Sequence, residues 1–429
     1  MADRSGNTLA LSILCFGFLY APRLAIGVNL GTAAVAFMLA WRWRDLGAAA
    51  RSADLRLSVA LVLALIAYHL ILARFYQNNP LYAIRILSSL PVYLVFGFLF
   101  TLSLRSRSAT SQVADVIWEV ARITMWVTVA NSVVVLLQSA FPWIKAESES
   151  LLLQEITNID YASHPFRSRG FSAAGGAALS VMLAVAAWIA AALTLVGRLT
   201  ALSGVSAMAV LTTANIFVGR TGLVAATGAF ALYLFIQMSM GIFARGRSRS
   251  QALFVSGLLL VLPSLTLRFV DLNSEVLLWA FEWIGQSGDG FGSSGSTDEL
   301  RGMLFLPSTA GHLTTGVGFF EGTSLQYGRT DVGYMKTILA FGFPIAGLIY
   351  LTICALWLRL MSRHNQLVLL LAPILALLLI VEIKEPFLYQ NYAGRFVFLM
   401  IGASFALRPF SAAETIPRAA SAALRVHGA

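Results

Sequence analysis

The chain has 429 residues, of which 58% are hydrophobic and only 12% charged, with a mean hydropathy of +0.77. A water-soluble protein of this length needs far more polar surface, so the composition excludes a soluble enzyme and places the chain among integral membrane proteins. The net charge of +10 would direct a soluble protein toward nucleic acid; here it orients membrane spans, because Lys and Arg collect in cytoplasmic loops.

In chain order, apolar runs fall at 8–22, 24–41, 57–73, 81–102, 117–141, 170–196, 199–217, 221–243, 251–270, 332–358, 366–381 and 389–407. At about 20 residues per crossing they predict an all-α polytopic membrane protein of about twelve transmembrane helices, with 1–429 as a single transmembrane domain. The first run follows a short polar tail and is followed almost at once by the second, so no cleavable signal peptide is expected. Two outer segments are long enough to be structures of their own: 142–169, and the large loop 271–330 between helices nine and ten. The large loop opens with an amphipathic stretch, 276–284, whose Trp279, Phe281 and Trp283 suit the membrane interface. A Gly/Ser patch follows. Loops this long are functional more often than they are mere connectors.

Charge placement tests the orientation. With the N-terminus cytoplasmic, the inner loops and tails hold 16 of the 30 Lys and Arg residues. The opposite face holds Glu147, Glu149, Glu155, Asp160, Asp271, Glu275, Asp289, Asp298, Glu299, Glu321, Asp331, Glu382 and Glu385. Positive charge lies inside at every turn, so both termini are expected to be cytoplasmic. Cys15 and Cys354 sit in apolar runs, and His69, His164, His312, His364 and His427 show no ligand spacing. Neither a disulfide framework nor a metal centre is expected, and no other cofactor is called for.

The informative residues are the cations that this topology leaves outside: Arg23, Arg74, Arg85, Arg167, Arg169, Arg220, Arg268, Arg301, Arg329, Lys336, Lys384 and Arg395. Taken singly, Arg23, Arg74, Arg85 and Arg268 are explained by snorkelling or by a neighbouring acid. As a set, guanidinium groups gathered on an outward cavity suit a diphosphate, whose oxygens the planar fork grips in pairs. Arg220 is the sharpest case. It lies in Val218-Gly219-Arg220-Thr221-Gly222, a connector so short that it forces a helical hairpin, and it sets its charge at a helix N-terminus, where anions are favoured. A purely structural Arg at a helix end is the competing explanation.

Gly219-Arg220-Thr221-Gly222-Leu223-Val224-Ala225 resembles the Ser/Gly-Arg-Thr/Ser-x-Leu-x-Ala stretch of the O-antigen ligase and polymerase superfamily. Other pieces follow in the expected order: Phe166-Arg167-Ser168-Arg169-Gly170-Phe171 leading to Ala174-Gly175-Gly176, then Gly316-Val317-Gly318, Asp331-Val332-Gly333-Tyr334 with Gly342, and Glu382-Ile383-Lys384-Glu385-Pro386 with Arg395. The likeness spans roughly residues 160 to 405, in motifs that are each short. The resemblance implies a GT-C-like fold in the bacterial inner membrane. It also implies a metal-independent glycosyltransferase acting at the periplasmic face on polyprenyl-diphosphate-linked oligosaccharides, serving as donor and acceptor, with a chain-length regulator as a possible partner. In the ligases a His and an amide-type residue lie eleven and ten positions before the equivalent of Gly342. Asp331 and Val332 hold those positions here. That departure favours a Wzy-type polymerase of O-antigen, capsule or exopolysaccharide repeat units over a ligase delivering glycan to lipid A core.

Residue chemistry then assigns expected roles. The leaving diphosphate carries the growing charge, so fixed cations are the largest help: Arg220 first, with Arg169, Arg301 and Arg395 also on the diphosphate. A carboxylate takes the acceptor's proton, Asp331 in first place and Glu321 in second; a helix cap, or a pair with Arg329 or Lys336, would equally explain Asp331. For Lys384 and Glu385 a structural ion pair is the simpler expectation. His312, Tyr327 and Tyr334 are candidates for touching sugar, although an interfacial aromatic belt also explains the tyrosines. A lipid-linked oligosaccharide flippase is the alternative from another class, and it would place charges deep along the spans rather than at their outer ends.

Overall fold

The computed structural model describes residues 2–105, 113–153, 166–243, 276, 279, 301–319, 330–362 and 365–407. Among them every regular element is helical, and the only β pairing is two isolated bridges, Arg23 with Asn29 and Leu24 with Leu152. The helices are α1 (Ala2–Tyr20), α2 (Leu30–Trp41), α3 (Leu46–Arg51), α4 (Ala53–Phe75), α5 (Leu81–Arg105), α6 (Val113–Ala140), α7 (Pro142–Ser150), α8 (Gly176–Leu195), α9 (Ala201–Val218), α10 (Arg220–Phe243), α11 (Ala310–Thr315), α12 (Gly333–Phe341), α13 (Phe343–Met361), α14 (Asn365–Val381) and α15 (Asn391–Ala406). Six of them, α4, α5, α6, α8, α9 and α13, are long and apolar enough to cross a bilayer, and Thr8–Tyr20, α2 and α14 are shorter apolar helices. The protein is a helical membrane protein.

Helix α8 is the hub, because its sequence alternates small and large apolar residues. In GAALSVMLAVAAWIAAALTL the alanines let neighbouring backbones close in, the usual basis of packing between membrane helices. It packs against α6, α9, α10, α14 and α15, and 89% of its most apolar window is buried, against 22% for α4 and α13 at the periphery. One tie is dictated by covalent structure. Pro373 within α14 has no N–H and so frees the carbonyl four residues back; that carbonyl, Leu369 O, accepts from the Trp188 indole of α8 at 3.1 Å. A second pillar is α15, which packs along α5 and also touches α1, α6 and α8.

Two apolar runs depart from simple spans. The run 332–358 is two helices, α12 and α13, broken at Gly342, where φ is +79°. A Cβ at Gly342 would stand 2.1 Å from Thr314 O, and Pro344 follows as an early residue of α13. Backbone handedness and proline together stop the first helix after nine residues. The run 24–41 becomes helical only at Leu30, after a tight loop closed by Leu24 N donating to Val28 O and capped by Asn29 Oδ1 accepting from Gly31 N and Thr32 N. The run 251–270 lies outside the described residues, as do most of the large loop 271–330 and residues 154–165 of the smaller one. The smaller loop contains the short helix α7.

Candidate functional site

The hairpin expected around Arg220 is present, and it is tighter than a loop. Helix α9 ends at Val218, Gly219 is extended, and α10 begins at Arg220 itself. The segment 166–175 lies against it: Ser168 N donates to Phe217 O at 3.1 Å, and Arg167 Nη2 to Val218 O at 3.1 Å. Arg167 is 6% exposed. Its guanidinium therefore satisfies a carbonyl at the end of α9, where a cation is favoured. The carbonyl of Arg167 accepts from Lys145 Nζ at 2.7 Å, and burial pulls that ammonium below the ordinary lysine value.

Trp279 of the large loop reaches this corner. Its ring lies 4.7 Å from the Arg220 guanidinium carbon, 5.2 Å from that of Arg167 and 5.4 Å from the Phe166 ring, edge on. Two guanidinium groups thus gather on one indole, whose π-face offsets part of their mutual repulsion. Sequence reasoning placed Trp279 on an interfacial stretch and missed this role; nothing local in 276–284 names its partners.

The turn after α14 completes the corner. Lys384 Nζ donates to Thr221 Oγ1 at 3.1 Å, next to Arg220, while Glu382 O accepts from Gly333 N at 3.0 Å, two residues after Asp331. The segments that carry Arg220 and Asp331, distant in sequence, therefore meet at one short turn. Lys384 thus reaches α10, and Glu385 Oε2 accepts from Asn391 Nδ2 at 3.0 Å. Asp331 is half-buried, 3.6 Å from Lys336 Nζ, and its N–H points at the Met303 sulfur. That ion pair is one of the two structural explanations the sequence offered for Asp331.

The remaining cations separate into two places. Arg169, also 6% exposed, donates to Ala173 O at 3.2 Å and stands close enough to the Tyr392 hydroxyl to act on it electrostatically, as does Arg395. Tyr392 locks the segment to α15 by donating to Ala174 O and accepting from Ala174 N. Arg395, one turn into α15, donates to Phe18 O and Leu19 O at 3.0 and 2.8 Å, the last-turn carbonyls of α1. It lines a half-open cavity of about 590 Å³ with Arg23 and Arg85. Arg301 is elsewhere, exposed on a helical turn outside that lining.

His312 stands edge-on to Tyr76 at 5.2 Å, with its backbone N–H capped by Thr309. Tyr334 donates to Leu379 O at 2.6 Å and stacks at an angle on Tyr350. Neither lines the 590 Å³ cavity. Glu321 and Tyr327 lie outside the described residues. Among the described residues no three His, Cys, Asp or Glu side chains converge. No family model matches the chain, and no curated protein matches it.

Glu382 is a residue to which the sequence gave no role. It is completely buried, in the turn beyond α14, and its oxygens accept from Tyr350 OH at 2.8 Å and Leu388 N at 3.0 Å. Tyr350 continues to Thr337, and Thr337 to Tyr389 in the wall of the 590 Å³ cavity. Burial pushes the carboxyl up to about 8, against the pull of its hydrogen bonds. An acid whose folded value is raised binds its proton more tightly when folded, so stability falls as pH rises from the ordinary carboxylate range toward about 8. Glu382→Gln removes that slope, at a cost of about 1 kcal/mol for the bond from Leu388 N that an amide nitrogen cannot accept. In detergent between pH 5 and 9, the melting temperature of wild type is expected to fall as pH rises while that of Glu382→Gln stays level, so the variant, less stable at the acid end, becomes the more stable of the two at the alkaline end.

Proposed function

We propose that the protein is a glycosyltransferase that joins polyprenyl-diphosphate-linked oligosaccharide units, a repeat-unit polymerase of twelve spans working at the outer face of the bacterial inner membrane. One observation carries the reading: Arg220, Arg167 and Lys384 gather at the start of α10, and the segment that bears the carboxylate of Asp331 is tied to the same turn through Gly333. Cations on one side and a proton acceptor on the other are what glycosyl transfer from a diphosphate needs.

The acceptor hydroxyl oxygen forms a bond to the anomeric carbon of the donor sugar while the bond from that carbon to the diphosphate oxygen breaks. The electron pair leaves with the diphosphate, and the hydroxyl proton passes to Asp331. Guanidinium groups fixed before the reaction lower the cost of the charge that grows on the leaving group. Lys336 beside Asp331 holds the carboxylate in place. The resemblance of the Arg220 segment to the polymerase and ligase superfamily supports the same chemistry, and Asp331 at the ligase histidine position favours polymerase.

Purified protein given lipid-linked repeat units alone tests the reading. Chains of increasing length, formed without any core lipid, are the expected result. Glycan transfer that requires a lipid A core acceptor would make the protein a ligase, and intact monomeric units after prolonged incubation would remove the transferase reading.

A further inference from the structure

The segment that brings Arg167 to the corner, 166–175, belongs to no helix, so its backbone N–H and C=O groups need partners from elsewhere. Two side chains of α6 supply partners for four of them. Asn131 and Gln138 lie seven residues apart, two turns along one face of the helix, and each is 1% exposed. Asn131 Oδ1 accepts from Phe171 N at 2.9 Å and its Nδ2 donates to Arg169 O at 3.4 Å. Gln138 Oε1 accepts from Gly170 N at 2.9 Å and its Nε2 donates to Gly170 O at 3.1 Å. The two amides do for this segment what a neighbouring strand does in a sheet.

Buried amides are costly in a membrane-spanning helix, and apolar side chains of the same size would fill the space. What the amides add is register, because each bonds a particular backbone group. A slip of one residue would bring Phe166 or Ser168, in place of Arg167, to the end of α9. Gly170 permits the close approach: its φ is +61°, and a Cβ there would stand 2.5 Å from Asn131 Oδ1. Helix α7 is bound into the same arrangement, since Gln138 Nε2 also donates to Ser148 Oγ at 2.6 Å and Lys145 holds the carbonyl of Arg167.

We infer that Asn131 and Gln138 are positioning residues for diphosphate binding: they fix the register of 166–175 and so hold Arg167 beside Trp279 and Arg220. The role rests on the transferase reading. Cations fixed in advance stabilise the charge that grows on the leaving group, so loosening them lowers kcat more than it raises KM.

The test uses the full chain in phosphatidylcholine nanodiscs. Geranyl diphosphate is titrated calorimetrically into wild type, Gln138→Met, Arg167→Gln and the double variant, and chain growth is followed on the same proteins with lipid-linked repeat units. Gln138→Met nearly keeps the volume and loses the hydrogen bonds. It is expected to weaken binding about tenfold, as loss of one charge-assisted contact does, and to lower kcat by more than it raises KM. In the Arg167→Gln background it should change little, because a residue that acts through a guanidinium has nothing to act through once that group is gone. Equal weakening in both backgrounds, a Gln138→Met isotherm identical to wild type, or a wild type that binds no geranyl diphosphate overturns the positioning role. Hydrogen exchange on wild type needs no variant: Gly170 and Phe171 amides are expected to exchange as slowly as those in the middle of α6, and rapid exchange overturns the role even if Gln138→Met does not fold. Coupling between Gln138 and Arg167 in a protein that never elongates chains would sink the polymerase reading and leave the positioning role standing, whereas chain growth without that coupling does the reverse.

Discussion

Replacing Arg220 by Ala is expected to abolish the surface polymer ladder, leaving single repeat units attached to core, and to slow chain growth by the purified protein by about 10²- to 10³-fold, the usual effect of removing one fixed donor to a developing anion. Arg220→Lys should recover only part of the loss, because an ammonium keeps the charge but not the planar fork that meets two phosphate oxygens. Position matters more than charge count. Arg220 opens α10, so its guanidinium adds to a helix N-terminus, and Trp279, Arg167 and the Lys384–Thr221 contact restrict where it can point. Arg74, exposed near the end of α4, carries the same charge without those restraints, and Arg74→Ala should leave the ladder unchanged. A full ladder from Arg220→Ala would take Arg220 out of the mechanism.

Much of this corner was legible because its signals are local. A Gly-Arg-Thr-Gly connector between two apolar runs leaves room for nothing but a hairpin, and the helix N-terminus follows from it. What was not legible depends on which helices meet. Arg23 and Arg85 each have a sufficient single-residue explanation in snorkelling, and only the approach of α2, α5 and α15 makes them walls of one chamber. Glu382 sits in a segment whose charges read as an ion pair; its burial against Tyr350 and Leu388 follows from the return of the chain after Pro386 toward α15. The break in the run 332–358 had a signal in Gly342 and Pro344, but uninterrupted hydropathy masked it. Periodicity records how apolar a stretch is, not where a positive φ ends a helix.

Gly222→Ala is expected to be the most damaging single-methyl change near the site. The first turn of α10 presses on the first turn of α8 so closely that Gly222 N donates to Ser180 Oγ at 3.1 Å, and an added Cβ would stand 2.0 Å from Ser180 O and 2.1 Å from its carbonyl carbon. Those are backbone atoms of α8, the most buried of the six long apolar helices, so they cannot swing aside as a side-chain tip would. Relief requires the two helices to part, at a cost of about 1–3 kcal/mol for overpacking of this kind, and parting them moves Arg220, two residues away, off its partners. Thermal melting in detergent and chain growth should therefore fall together. Gly228→Ala, further along the same helix, is the matched control: nothing lies within 4 Å of the added carbon there, and replacing Gly by Ala inside a helix favours the helix by up to about 1 kcal/mol. If Gly222→Ala melts at or above the temperature of Gly228→Ala, the close crossing of α8 and α10 does not hold Arg220 in place.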